Sequence, residues 1–181
     1  AITRGALTIT KSVLSPTNAS VVNIGSNIVF RILIKNTGQL RIGTLPLEDT
    51  FSADDFQYVS ATIPPNSIGA GDLYWTNLAS SAVLATNAII TNDVTMKVVG
   101  GATPALNTAF ANYAGATNGT PIAPASGSAS IITCVIAFWK ADAVAADDTT
   151  LVGSSRVTTT TYCGSSTGAK PTMLVEDTPY V

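Results

Sequence analysis

The chain has 181 residues, of which 11% are charged and 46% hydrophobic, with a net charge of −2 and a mean hydropathy of +0.35. Average soluble proteins carry roughly 25% charged residues, so this composition implies surface hidden against another molecule, most simply a second copy of the chain. Nine basic residues scattered singly from Arg4 to Lys170 leave no cationic patch for nucleic acid, and the absence of histidine removes His-based triads and most zinc chemistry.

The size suits a single domain with its own core. The densest apolar run, Ile131 to Trp139, is less than half of the roughly 20 residues a membrane-crossing helix requires, so no membrane span is expected in the mature chain. Ala1 opens the chain with neither Met nor a charged-then-apolar leader, the form expected of a mature, processed protein.

In chain order the pattern is one of strands. After an untethered arm at residues 1–5, Leu7, Ile9 and Val13 alternate with Thr8, Thr10 and Ser12, giving a strand from Ala6 to Leu14 that closes at Ser15-Pro16-Thr17-Asn18. Val21 and Val22 lead through the Gly25-Ser26-Asn27 turn into the clearest strand. There Ile28, Phe30, Ile32 and Ile34 face the core while Val29, Arg31, Leu33 and Lys35 face outward, because two charges cannot be buried unpaired. Asn36-Thr37-Gly38 tolerates positive φ and ends it. Leu45, Leu47 and Phe51 mark another strand, which Pro46 assigns to an edge or a bulge.

Phe56 to Ile63 is closed by Pro64-Pro65-Asn66; Leu73, Trp75 and Leu78 follow the Gly71-Asp72 turn, with Trp75 as a core plug. Beyond Ala88, Ile90, Val94, Met96 and Val98 share one face, and Asp93, Thr95 and Lys97 the other. Ala109 to Ala114 is a weaker strand, Thr117 to Gly127 a loop, and Ser130 to Lys140 a strand buried on both faces. Leu151 to Tyr162 and Thr172 to Val175 complete the β-prone segments. No helical pattern runs for ten residues, although Asn77 to Ala88 and Ala102 to Ala116 could form a turn or two. The expectation is an all-β fold, one immunoglobulin-like or jelly-roll β-sandwich.

Candidate sites are few. Glu48, Asp49, Asp54 and Asp55 could be read as a carboxylate pair for glycoside hydrolysis, but solvated charges flanking an edge strand are the preferred reading. Asp142, Asp147 and Asp148 share a loop and are the calcium candidates, but the ligand count falls short without Asp54 or Glu176, a plain polar hairpin loop is the preferred reading, and no other cofactor is suggested. Cys134 and Cys163 are the only cysteines, and in an oxidising compartment pairing is preferred over two buried thiols. Asn18-Ala19-Ser20 and Asn118-Gly119-Thr120 fit the glycosylation acceptor pattern.

The alternating strand after Gly5, the turn at Gly25 and the apolar strand running into Asn36-Thr37-Gly38-Gln39-Leu40-Arg41-Ile42 resemble the N-terminal third of the TasA/camelysin family, to which archaeal bundling pilins are similar. Leu47-Glu48-Asp49-Thr50 and Tyr74-Trp75-Thr76-Asn77-Leu78 resemble the conserved repeat domain of prokaryotic surface proteins instead. The resemblance implies a non-enzymatic, secreted structural protein of the cell surface or biofilm matrix. It also implies a donor strand at residues 1–14 that completes the sheet of the next subunit, with residues 15–181 as the sandwich. Ile2, Leu7 and Ile9 would then point into a neighbouring chain, and head-to-tail repetition would give a homopolymer. A surface adhesin or S-layer-like module is the alternative, and a carbohydrate-binding sandwich using Tyr74, Trp75 and Trp139 a more distant one.

Overall fold

A computed structural model describes residues 4–17, 21–100 and 104–134, all but the last of them within the compact unit Ala1–Thr133. The described elements are β1 (Leu7–Ser15), β2 (Val21–Asn23), β3 (Asn27–Asn36), β4 (Ile42–Thr44), β5 (Leu47–Phe51), β6 (Phe56–Ala61), β7 (Ser67–Ile68), β8 (Asp72–Trp75), β9 (Ile89–Val98), β10 (Ala105–Ala111), β11 (Gly115–Ala116) and β12 (Ala125–Cys134). They form a four-stranded sheet in the order β1-β3-β9-β6, a six-stranded sheet in the order β2-β12-β10-β5-β8-β7 and a small β4–β11 ribbon. Among the described residues there is no helix, neither at Asn77 to Ala88 nor in residues 104–116, and none long and apolar enough to cross a membrane.

Period-two patterning produces this architecture directly. In β3, Ile28, Phe30, Ile32 and Ile34 are wholly buried, while Val29, Arg31, Leu33 and Lys35 are not. β3 runs antiparallel to β1 on one side and β9 on the other, which places Val94, Met96 and Val98 on the same inner face. The second sheet supplies Leu47, Leu73, Trp75, Ala105, Ala109, Ala111 and Ile131, and the two inner faces close into one apolar cluster. Trp75 plugs it as expected, with its indole Nε1 donating to the Ile63 carbonyl at 2.8 Å.

Several expectations are corrected. Pro46 does not place its segment at an edge: β5 lies between β10 and β8, and Pro46 precedes the strand, where its missing N–H costs no ladder bond. Positive φ occurs at Gly25, Asn87 and Gly119, not at Gly38. Gly38 is required for another reason: its amide donates to Ala6 O and to Asn36 Oδ1, and a Cβ there would run into the Arg4–Ala6 backbone. β10 begins at Ala105 rather than Ala109, and β12 begins inside the expected loop. Of the strand expected to be buried on both faces, Ser130 to Lys140, residues 130–133 alternate instead, with Ile131 and Thr133 buried, Ser130 exposed and Ile132 half-buried; residues 135–140 lie outside the described residues. Leu7 and Ile9, expected to point into an adjacent subunit, lie in this chain's own core, because β1 pairs with β3 along its length.

Candidate functional site

Several strands carry a buried polar residue in the inward phase, and three of these residues converge. In β1, Leu7 and Ile9 are followed in the same phase by Lys11; in β5, Asp49 sits between Leu47 and Phe51; in β10, Asn107 sits between Ala105 and Ala109. All three turn inward and are buried, Asp49 and Asn107 completely. β5 and β10 are antiparallel neighbours with Asp49 opposite Ala109 and Asn107 opposite Phe51, so the carboxyl and the carboxamide share one face two residues apart in register. Lys11 descends on them from the opposite sheet.

Lys11 Nζ pairs with Asp49 Oδ1 and donates to Asn107 Oδ1 at 2.7 Å. The side chains of both ionisable partners are fully shielded from solvent. The Phe30 ring, 5.3 Å from Nζ to its centroid and stacked edge-on against Phe56, forms a wall of the site. Desolvation lowers the Lys11 ammonium to about 8, against the pull of Asp49. Burial likewise raises the Asp49 carboxyl, against the pull of Lys11 and, more weakly, of the Asn107 side chain beside it. Both displacements favour the uncharged form of the pair, an amine beside a carboxylic acid.

Two polar atoms of the cluster, Asp49 Oδ2 and Asn107 Nδ2, are buried with no hydrogen-bond partner among the described residues. The other buried asparagines differ. Asn36 Nδ2 donates to the carbonyls of Leu40 and Leu84, and its Oδ1 accepts from Gly38 N. Asn92 Oδ1 accepts from Ile63 N, and its Nδ2 donates to Ile63 O. Those two brace loops and are satisfied; Asn107 braces nothing with its nitrogen.

The acidic cluster read from the sequence does not converge. Glu48 and Asp49 project to opposite faces of β5, Asp54 is exposed and Asp55 is buried, so a carboxylate pair for glycoside hydrolysis is not formed. The solvated-charge reading is corrected as well for Asp49 and Asp55. Asn118 is exposed in a turn, its Oδ1 accepting from Thr120 N at 3.1 Å. Among the described residues no three Cys, Asp or Glu side chains gather as a metal site. Ile2, Asn18, Cys163, Asp142, Asp147, Asp148 and the side chain of Cys134 lie outside the described residues.

No family model matches the sequence, and no curated protein matches it. Similar folds are found among solved structures. The D312A form of BcpA, the major pilin subunit of Bacillus cereus, matches with a TM-score of 0.52 at 12% identity, over 70% of this chain and 40% of that one. The seventh ScaB type I cohesin from Pseudobacteroides cellulosolvens matches with a TM-score of 0.49 at 12% identity, over 75% and 96% of the two chains. A cohesin module from a Clostridium perfringens family 33 glycoside hydrolase gives 0.48 at 15% identity, over 73% and 99%. At these identities the likeness is one of fold, a β-sandwich; the resemblance to TasA and camelysin rests on the sequence motifs alone.

Proposed function

We propose that the protein is a non-enzymatic structural subunit of an extracellular homopolymeric filament on the cell surface or in a biofilm matrix. The observation that carries this reading is a sandwich whose sheet edges are unpaired among the described residues and carry exposed apolar side chains. Val59 is exposed on the edge strand β6, Ile68 on the edge strand β7, and Tyr74 beside it on β8. Edges with unpaired ladder groups and apolar side chains invite pairing, and a contact that joins two different edges repeats without closing. The pilin-like fold agrees with this reading.

The sequence-based route of assembly is donation of residues 1–14 to a neighbour. It would require β1 to leave β3 and to place Leu7 and Ile9 in an equivalent core in the next chain. A second reading, one module of a longer surface protein, draws on the match to only 40% of the pilin's length.

Negative-stain microscopy of the purified chain tests the reading. Filaments growing with protein concentration are expected; a monodisperse monomer at all concentrations would favour the module.

A further inference from the structure

A lysine amine, a carboxyl group and a carboxamide are closed off together from water at the contact between the two sheets. We propose that Lys11 and Asn107 become joined by an intramolecular isopeptide bond, with Asp49 as the group that relays the protons. The inference rests on the sandwich and its interior and is independent of the filament reading.

The geometry supplies each participant. The nucleophile, Lys11 Nζ, contacts the Asn107 carboxamide through Oδ1 at 2.7 Å, which leaves the carbonyl carbon one bond further on. Asp49 touches the same nitrogen from the adjacent strand. Burial holds the lysine in reach of its free-amine form and the aspartate in reach of its acid form, the pairing that amide exchange requires. The leaving nitrogen, Asn107 Nδ2, makes no hydrogen bond of normal geometry among the described residues, whereas the carboxamide nitrogens of Asn36 and Asn92 each donate to a backbone carbonyl. β5 and β10 are flanked by strands on both sides and β1 pairs with β3, so folding itself brings the three side chains together.

The step balances without any co-reactant. The Nζ lone pair forms a bond to Asn107 Cγ while the Asp49 acid donates to Oδ1, and the tetrahedral centre carries its charge against that donor. Asp49 gives its proton to Nδ2 and, now a carboxylate, takes one from Nζ; the oxyanion collapses, the Cγ–Nδ2 bond breaks, and ammonia departs. An amine and a primary amide have become a secondary amide and ammonia, nothing is oxidised or reduced, and Asp49 ends in the state in which it began. The unpartnered Nδ2 is eliminated, and β1 is bonded covalently to β10, one sheet to the other.

Intact mass spectrometry of the purified, reduced full chain is the test. The expected mass lies below that of the sequence by one ammonia, and proteolysis should yield one branched peptide pair joined through Lys11 and Asn107. Asp49→Ala, with its β-type circular dichroism checked, should form the bond at least ~100-fold more slowly. If that variant does not fold, the wild-type mass and peptide map decide alone. Full sequence mass in folded wild-type protein overturns the proposal. So does loss of water with Lys11 joined to Asp49, or loss of ammonia mapping to a cyclised Asn118-Gly119. A ladder of denaturant-resistant oligomers joined Lys11 to Asn107 between chains would overturn the intramolecular assignment and support strand donation.

Discussion

The interior of the sandwich holds two kinds of ground. Along β3, Ile28, Phe30, Ile32 and Ile34 present an unbroken apolar row, with Phe30 packed edge-to-face on Phe56 at 5.6 Å. Where β1, β5 and β10 converge, the same inward phase carries Lys11, Asp49 and Asn107. The first region stabilises by removing hydrocarbon from water and is indifferent to which apolar residue performs the task, within volume limits. The second takes two ionisable groups out of water and leaves two polar atoms unbonded, which no packing argument favours. An interior position that works against stability in its noncovalent form is a sign of chemistry.

Removing Lys11 is expected to separate the two regions most strongly. Lys11→Met would abolish the covalent closure across 96 residues of sequence, worth about 4–5 kcal/mol on the chain-entropy estimate used for disulfides, and would leave Asp49 buried without its cation. Chemical denaturation should show a large fall in midpoint. In the apolar region, Ile34→Ala should cost about 2–5 kcal/mol by the same measurement, with the ammonia loss intact.

The double variant Lys11→Met with Asp49→Leu sharpens the contrast. Replacing a buried ion pair with apolar residues is often neutral or stabilising by about 1–4 kcal/mol, so the double variant should recover part of what Lys11→Met loses. A double variant less stable than the single one would mean that Asp49 has a structural role besides.

How far the sequence disclosed this depends on the range of the interaction. The β3 row, the outward Arg31 and Lys35, and the Trp75 plug follow from local alternation, and each is found where the pattern puts it. The reactive cluster left a local trace as well: Lys11 continues the Leu7, Ile9 phase, and Asp49 interrupts Leu47 and Phe51. That trace is legible only if a charge in the apolar phase is read as a signal. What no local pattern contains is that these positions meet, since Asp49 and Asn107 lie 38 and 96 residues from Lys11 and the pairing is set by the order of strands in opposite sheets. Pro46 misled because its position just before β5, rather than within it, is a matter of one residue.

The smallest expected effect lies on the outer face of β3. Arg31 Nε and Nη2 donate to Asp93 Oδ1 and Oδ2 at 2.7 Å each, on half-exposed side chains, and this fork holds the Asp93 carboxyl below its usual value. A carboxyl lowered on folding contributes stability above its unfolded value near 3.8, and loses it as pH falls through the folded value. Asp93→Asn should therefore lower the unfolding midpoint slightly at neutral pH and leave no difference from wild type in strong acid. The gap should also shrink in high salt.

The central claim is that the polar cluster ends as a covalent bond between the sheets. A high-resolution crystal structure of the purified chain addresses it most directly. Continuous density from Lys11 Nζ to Asn107 Cγ, at the amide bond length of about 1.33 Å and with the Nδ2 position vacated, is the expected result. A carboxamide with both its heteroatoms in place and the Lys11 nitrogen at hydrogen-bonding distance would contradict it.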